Sequence, residues 1–342
     1  MNQKMNVLEY MRSMTKADTH DFSQSFFSEW TKHWLIHYCN NIKRSTLASY
    51  NTAVRLHINR VLGDVRLCEL TSEDVQLFIN SLSMGVGIDE PMSPKSIKNI
   101  HGVLHKCLTV AVNTKHIAEN PANSTILPRV IKPDIQPLTL EQLQRFLMAI
   151  RGHSKELLFT VAVFTGLRQA ELIGLTWDCI DFDTGSIYVY RQLVKEKDGT
   201  YKFTTLKNNK TRKLYPASFL MKQLYDAKCV QQNSEFVFTN KRGTHYTHAA
   251  VYNSFIKVAK QIGLKSTRFH DLRHTYAVLS LQAGDDVKTL QENMGHHSAA
   301  FTLDVYGHCT DDMKRASSCK MEQYVSEKFN SVIPPLGMIN RE

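Results

Sequence analysis

The chain has 342 residues, enough for two domains with separate cores, and its 42% hydrophobic and 22% charged content is ordinary for a globular protein. Its formal charge of +10 is less ordinary, and favours polyanions: nucleic acid first, an anionic membrane surface second. The longest apolar stretch, Leu157 to Leu167, is interrupted by Thr160, Thr165 and Gly166 and falls short of the roughly 20 residues a membrane span needs, no signal peptide opens the chain, and seven cysteines lie singly with no Cys-x-x-Cys pair; a spanning protein, a secreted disulfide scaffold and a zinc knuckle are excluded, and a cytoplasmic location is expected.

Residues 1–21 read as a flexible tail. From Phe22 to residue 122 the pattern is helical, a self-contained domain. Phe26, Phe27, Trp30, Trp34 and Leu35 recur at three- and four-residue spacing, which marks one buried helix face. Ser45 reads as the N-cap of a second helix through Tyr50, Val54 and Ile58, and Thr71-Ser72-Glu73-Asp74 as the start of a third. Ser93-Pro94 opens a long fourth helix expected to run to Asn120-Pro121. Residues 123–137, with Pro128, Pro133 and Pro137, read as a linker.

The second domain, 138–310, opens on the capping pattern Thr139-x-x-Gln142. Leu157 to Thr165 and Gln169 to Leu175 read as buried helices. The period then changes to two: Ser186 to Tyr190 is a strand, Asp198-Gly199 a hairpin turn, Tyr201 to Thr205 the return strand, and Arg212 to Tyr215 a third strand. Helices resume at Ala217. Residues 311–342 form a C-terminal helix and tail whose apolar side (Met313, Ala316, Met321, Tyr324, Val325, Phe329) fits packing on its own domain or on a neighbouring protomer. The fold class expected is mainly α with a small antiparallel sheet, α+β.

Three segments concentrate unusual chemistry. Arg168 lies in Thr165-Gly166-Leu167-Arg168, between two apolar helices; its guanidinium can clamp phosphate oxygens in bidentate fashion, or close a helix-end salt bridge with Glu171. His270 and Arg273 are three apart, so on a helix they share a face. Gly295-His296 ends another helix, ten residues before Tyr306, and a glycine there lets the chain reverse. Lys207 follows the hairpin; it fits a proton donor or a solvated basic turn, and Lys210 competes with it. A phosphodiester attacked without metal needs cations for its oxygens, a base and an acid, and these residues supply a candidate for each.

The order Arg…Lys…His-x-x-Arg…Gly-His…Tyr resembles the tyrosine recombinases, the phage-integrase family, over residues 22–310. The resemblance implies a helical core-DNA-binding domain and a catalytic domain closing on double-stranded DNA. Tyr306 is then the nucleophile, giving a 3′-phosphotyrosyl link without ATP, metal or other cofactor. It further implies that Arg168, Arg273 and His296 bind the transition-state oxygens, Lys207 is general acid and His270 assists as base. A homo-tetramer on two DNA sites, aided by accessory excision or DNA-bending factors, is also implied. Asn208-Asn209 after Lys207 and His297 after His296 depart from the usual pattern, and the roughly 20 residues before Phe22 are too short for an arm-DNA-binding domain.

Lys43, Arg44, Thr46 and Tyr50 near one helix start, and Lys95, Ser96, Lys98 and Asn99 near another, suit DNA phosphate contacts, although solvated helix ends carry such residues too. The reading is a mobile-element integrase of the prophage or conjugative-transposon kind. A chromosome-dimer resolvase of the Xer kind is the alternative within the class. A metal-dependent nuclease would need clustered carboxylates, and a non-catalytic DNA-binding regulator would have no use for Tyr306.

Overall fold

The structure is a computed structural model and describes residues 21–86, 90–131, 137–196, 198–206, 210–231, 234–264, 266–295 and 311–329. The chain divides into two compact units, Met1–Pro133 and Asp134–Glu342. Among the described residues no helix is long and apolar enough to cross a membrane.

In the first unit, α1 (Phe27–His37) buries Phe27, Trp30, Thr31 and Trp34, a stripe at helical spacing. Helix α2 (Arg44–Ala53) continues through a π turn, Val54–Ile58, into α3 (Asn59–Leu62). The N-cap of α2 is Lys43 and not Ser45: the chain turns helical earlier, and the Ser45 carbonyl accepts from Ser49 Oγ inside the first turn. Helix α4 (Ser72–Met84) has the expected capping box, Thr71 with Asp74, and ends on Gly85 at φ 76°.

Helix α5 (Pro94–Asn113) starts on Ser93 and Pro94 as expected, but stops seven residues before Asn120. Thr114 Oγ1 donates back to the Val110 carbonyl and Lys115 takes a positive φ of 62°. The chain then folds over, so that buried Asn120 donates to the His105 carbonyl and Thr109 Oγ1 on α5 itself. The core of the unit gathers Trp30, Phe78, Ile97, Leu104 and Leu108, and the last four each contribute roughly 1.5–3 kcal/mol by leaving water.

The second unit opens with α6 (Leu140–Ala149), whose capping box Thr139–Gln142 forms as expected. Helix α7 (Glu156–Thr165) is buried nearly all round, and the short α8 (Gln169–Ile173) follows. Strands β1 (Ile180–Asp181), β2 (Ser186–Val189), β3 (Arg191–Lys195), β4 (Tyr201–Thr205) and β5 (Arg212–Leu214) make two antiparallel sheets, β1-β2-β5 and β3-β4. The hairpin partner of β4 is therefore β3, and β2 instead pairs β1 and β5, with Ile187 opposite Leu214 and Val189 opposite Arg212.

Helices α9 (Ser218–Val230), α10 (His248–Gln261), α11 (Asp271–Gln282) and α12 (Val287–Met294) complete the unit, and α13 (Asp311–Phe329) follows, with Met321 and Tyr324 exposed. Phe146, Phe159, Phe255 and Phe269 meet in edge and tilted ring contacts at the centre of the core. The architecture is mainly helical with small antiparallel sheets, the expected α+β class.

Candidate active site

The turn between α7 and α8 is held by a glycine that nothing else can replace without movement. Gly166 ends α7 at φ +61°, and a Cβ there would lie 2.4 Å from the Tyr276 ring. Arg168 follows as the extended N-cap of α8. Its backbone N–H and its Nη1 both donate to Glu171, to Oε2 and Oε1, each at 2.9 Å. The helix-end salt bridge is thus present, but it does not exhaust the side chain. Arg168 Nη2 also donates to the Gly295 carbonyl at 3.1 Å, and the side chain keeps a quarter of its surface exposed.

Arg273 reaches the same place from the first turn of α11. It is buried, with Nη1 donating to the Gly166 carbonyl at 2.6 Å and Nη2 to the Met294 carbonyl at 2.5 Å. Asp271 fixes the start of α11 by accepting from the Arg268 N–H and guanidinium. His270 is the N-cap of α11, not a residue within it, and stands edge-on to His274 at 4.9 Å. Although His270 keeps an open face, its imidazolium is pushed down to about 4, first by the packed groups that desolvate it and then by His274, Arg273 and Arg168.

A third arginine completes the network. Residues on β5 alternate inward and outward, so Arg212 shares the inner face of Leu214 while Lys213 points out. Arg212 Nη1 and Nη2 donate to Glu171 Oε1 and Oε2 at 3.1 and 2.7 Å, and Nε donates to the Asn293 carbonyl at 2.7 Å. Burial alone would raise the Glu171 carboxyl; Arg212 and then Arg168 outweigh it and pull it down to about 2. The strand pattern at residues 212–215 predicts the place of Arg212 but not this role. The alternation with Leu214 was the available signal.

The structure therefore brings Arg168, Arg273 and the end of α12 together, with His270 at the start of the Arg273 helix. Gly295 ends α12 at φ +61°, the glycine helix end expected there; the path beyond it lies outside the described residues. Lys207, His296 and Tyr306 lie outside the described residues. Lys210 is exposed and lines a cleft of about 350 Å³ with Arg212, Lys213, Lys288 and Gly295. Among the described residues, no group of three or more His, Cys, Asp or Glu side chains is placed to hold a metal ion.

In the first unit, a groove of about 780 Å³ runs between α2 and α5. Of the eight residues proposed from sequence for phosphate contact, Tyr50, Lys95, Ser96, Lys98 and Asn99 line it; Lys43, Arg44 and Thr46 do not. Lys106 was missed. It lines the groove and donates to Tyr50 Oη at 2.8 Å, while Tyr50 stacks on Trp34. The spacing of Lys95, Asn99, Gly102 and Lys106, all on one helix face, was the signal for it.

Comparison with known proteins bears on the family and the fold. A family model described as phage integrase family matches residues 136–313, and one described as phage integrase, N-terminal SAM-like domain, matches residues 26–83. The chain is 25% identical over 337 residues to a protein described as tyrosine recombinase XerC-like from Caldanaerobacter subterraneus subsp. tengcongensis, covering 90% of this chain and 85% of that one. It is 28% identical over 250 residues to the ICEBs1 integrase of Bacillus subtilis, covering 68% of this chain and 66% of the relative. Among solved structures, the Tn1549 transposon integrase in complex with transposon right end DNA superposes with a TM-score of 0.75 at 23% identity, covering 87% of this chain and 99% of that one. A lambda integrase tetramer bound to a Holliday junction gives 0.62 at 22% identity, covering 87% and 84%.

Proposed function

We propose that this chain, which belongs to the phage integrase family and is a tyrosine-type site-specific DNA recombinase, cleaves and rejoins DNA with Tyr306 as its nucleophile. The convergence of Arg168 and Arg273, from separate helices, on the helix end that leads into His296 carries the reading. Two guanidiniums fixed by main-chain carbonyls are preorganised for the equatorial oxygens of a phosphodiester, and need little reorganisation as charge develops there.

In the reaction we envisage, the Tyr306 oxygen attacks phosphorus while the bond from phosphorus to the 5′ oxygen breaks. His270, held neutral in the free protein, takes the phenolic proton; Lys207 gives a proton to the leaving 5′ oxygen. His296 joins the two arginines on the nonbridging oxygens. The product is a 3′-phosphotyrosyl link and a free 5′-hydroxyl, and attack by a second strand's 5′-hydroxyl reverses the step. The bond energy is retained in the phosphotyrosine, so ATP has no part in it.

Double-stranded DNA is the substrate, and the groove between α2 and α5 is its contact in the first unit. A homo-tetramer on two sites in the cytoplasm, acting with accessory factors and without a cofactor, integrates or excises a mobile element. The XerC-like relative keeps dimer resolution as the second reading. A nicked duplex copied from the DNA that flanks the gene, incubated with the protein in chelator and then denatured, tests the chemistry. A covalent protein–DNA band is expected with chelator present. Cleavage that stops when metal is withdrawn would contradict the reading, and a repeated attachment site in that DNA favours integration over resolution.

A further inference from the structure

We infer that Arg212 is a positioning residue for strand cleavage: from the inner face of β5 it ties the carboxylate that orients Arg168 to the helix end from which His296 departs. The inference rests on the catalytic reading above and concerns a residue outside its set of reacting groups.

Geometry gives Arg212 two simultaneous attachments. Its Nη1 and Nη2 span both oxygens of Glu171, and its Nε holds the Asn293 carbonyl, two residues before Gly295. Glu171 grips Arg168 by its backbone N–H and by Nη1. A displacement of Arg212 is thus felt at once by the guanidinium of Arg168 and by the last turn of α12. The carbonyls of Asn293, Met294 and Gly295 accept in succession from Arg212, Arg273 and Arg168, so the helix end is pinned by three strands of one network. Those are carbonyls that a helix end leaves without intrahelical partners, at the negative end of its dipole, where cations are favoured.

Charge points the same way. Glu171 is nearly inaccessible, with 1% of its side chain exposed, and pairing with Arg168 alone would cancel the positive charge that a phosphate needs. Arg212, 6% exposed by side chain, supplies a second cation, leaving the trio with a net single positive charge beside the proposed phosphate site. Gly295 keeps the space: a Cβ there would come 3.1 Å from Arg212 Nη1. No direct contact of Arg212 with DNA is required for this role.

Lysine in place of Arg212 keeps the cation but cannot hold both carboxylate oxygens and the Asn293 carbonyl together. The test measures the affinity of wild type and Arg212→Lys for the nicked flanking duplex, and the rate of covalent adduct formation at saturating duplex, with thermal melts alongside. Affinity within about threefold and a saturating rate lower by about 10²-fold are expected, the size of effect a misplaced reacting group produces. The Glu171→Gln variant is expected to show the same split, and the double variant to be no slower than the slower single one.

A wild-type saturating rate in Arg212→Lys overturns the inference, as does a loss confined to affinity, which would make Arg212 a DNA-contact residue of the basic cleft. Losses that multiply in the double variant overturn the route through Glu171. Should Arg212→Lys fail to melt cooperatively, Glu171→Gln decides, and a normal saturating rate there has the same negative meaning. Absence of adduct from wild type itself rejects the recombinase mechanism, and is read before any variant.

Discussion

Arg168 and Arg273, 105 residues apart in the chain, donate to adjacent carbonyls of one helix end: Arg168 Nη2 to Gly295 at 3.1 Å and Arg273 Nη2 to Met294 at 2.5 Å. Arg273 Nη1 also holds the Gly166 carbonyl, two residues before Arg168. The three segments that carry the proposed chemistry are therefore joined by main-chain acceptors. Side-chain substitution leaves those acceptors in place, so the arrangement depends on the arginines.

The Arg273→Lys variant keeps charge but loses the fork that spans Gly166 and Met294. Adduct formation should fall by about 10²–10³-fold, the range seen when one transition-state donor is removed, while DNA affinity changes little. Gel quantitation of adduct at saturating duplex makes the comparison. Equal rates in the two proteins would remove Arg273 from the chemistry.

Acid stability should report the buried carboxylate. Glu171 is depressed to about 2 from an ordinary 4.5, so its contribution is present above 4.5 and is lost as pH falls through 2. Glu171→Gln should cost on the order of 3 kcal/mol at neutral pH, because two arginines are left facing a neutral amide, and should flatten the fall in stability over that acid window. Denaturant melts between pH 2 and 7 measure both. A variant with wild-type acid sensitivity would show that another group sets it.

His270 behaves in the opposite chemical sense. Its folded value near 4 lies below the ordinary 6.5, so an unfolded chain takes up a proton below 6.5 that the folded site refuses until about 4. Its contribution to stability should therefore decline across that interval, and the imidazole should be neutral and able to accept a proton at pH 7. Histidine proton resonances, assigned with His270→Gln, should place the midpoint well under 6. Bound DNA should move it upward, since a phosphate favours the imidazolium. A midpoint near 6.5 in the free protein would contradict the packing around it.

In the first unit, Lys95 and Lys106 line the same groove from one face of α5. Replacing both by alanine should lower the slope of log affinity against log salt by about 0.9 for each DNA phosphate that the variant no longer neutralises. Lys43 and Arg44 lie outside the groove, so the same pair of substitutions there should change the slope less. Fluorescence titrations over a salt series separate the two pairs; the reverse ranking would move the interface to the start of α2.

What could be read in the sequence was local. Thr71 with Asp74, Ser93-Pro94 and Thr139 with Gln142 each determine a helix start within four residues, and each formed as expected. Gly166 and Gly295 likewise mark their turns. The partner of β4 was misread because Asp198-Gly199 locates a turn without saying where the preceding strand begins; β3 starts only at Arg191. Arg212 was legible as a strand residue, yet its partner Glu171 lies 41 positions away, and no periodicity announces a contact between a strand and the start of a helix. Lys43 displaced Ser45 as N-cap because a serine preference of about 1 kcal/mol yields easily to how the chain enters the helix.

The most direct test identifies the atom joined to DNA. Wild-type protein is reacted with the nicked flanking duplex, denatured, digested with protease and nuclease, and analysed by mass spectrometry for a nucleotide-bearing peptide. The account predicts a phosphotyrosyl adduct on the peptide containing Tyr306, and none from Tyr306→Phe, which still binds the duplex noncovalently. A nucleotide attached to any other residue, or an adduct that persists in Tyr306→Phe, would contradict it.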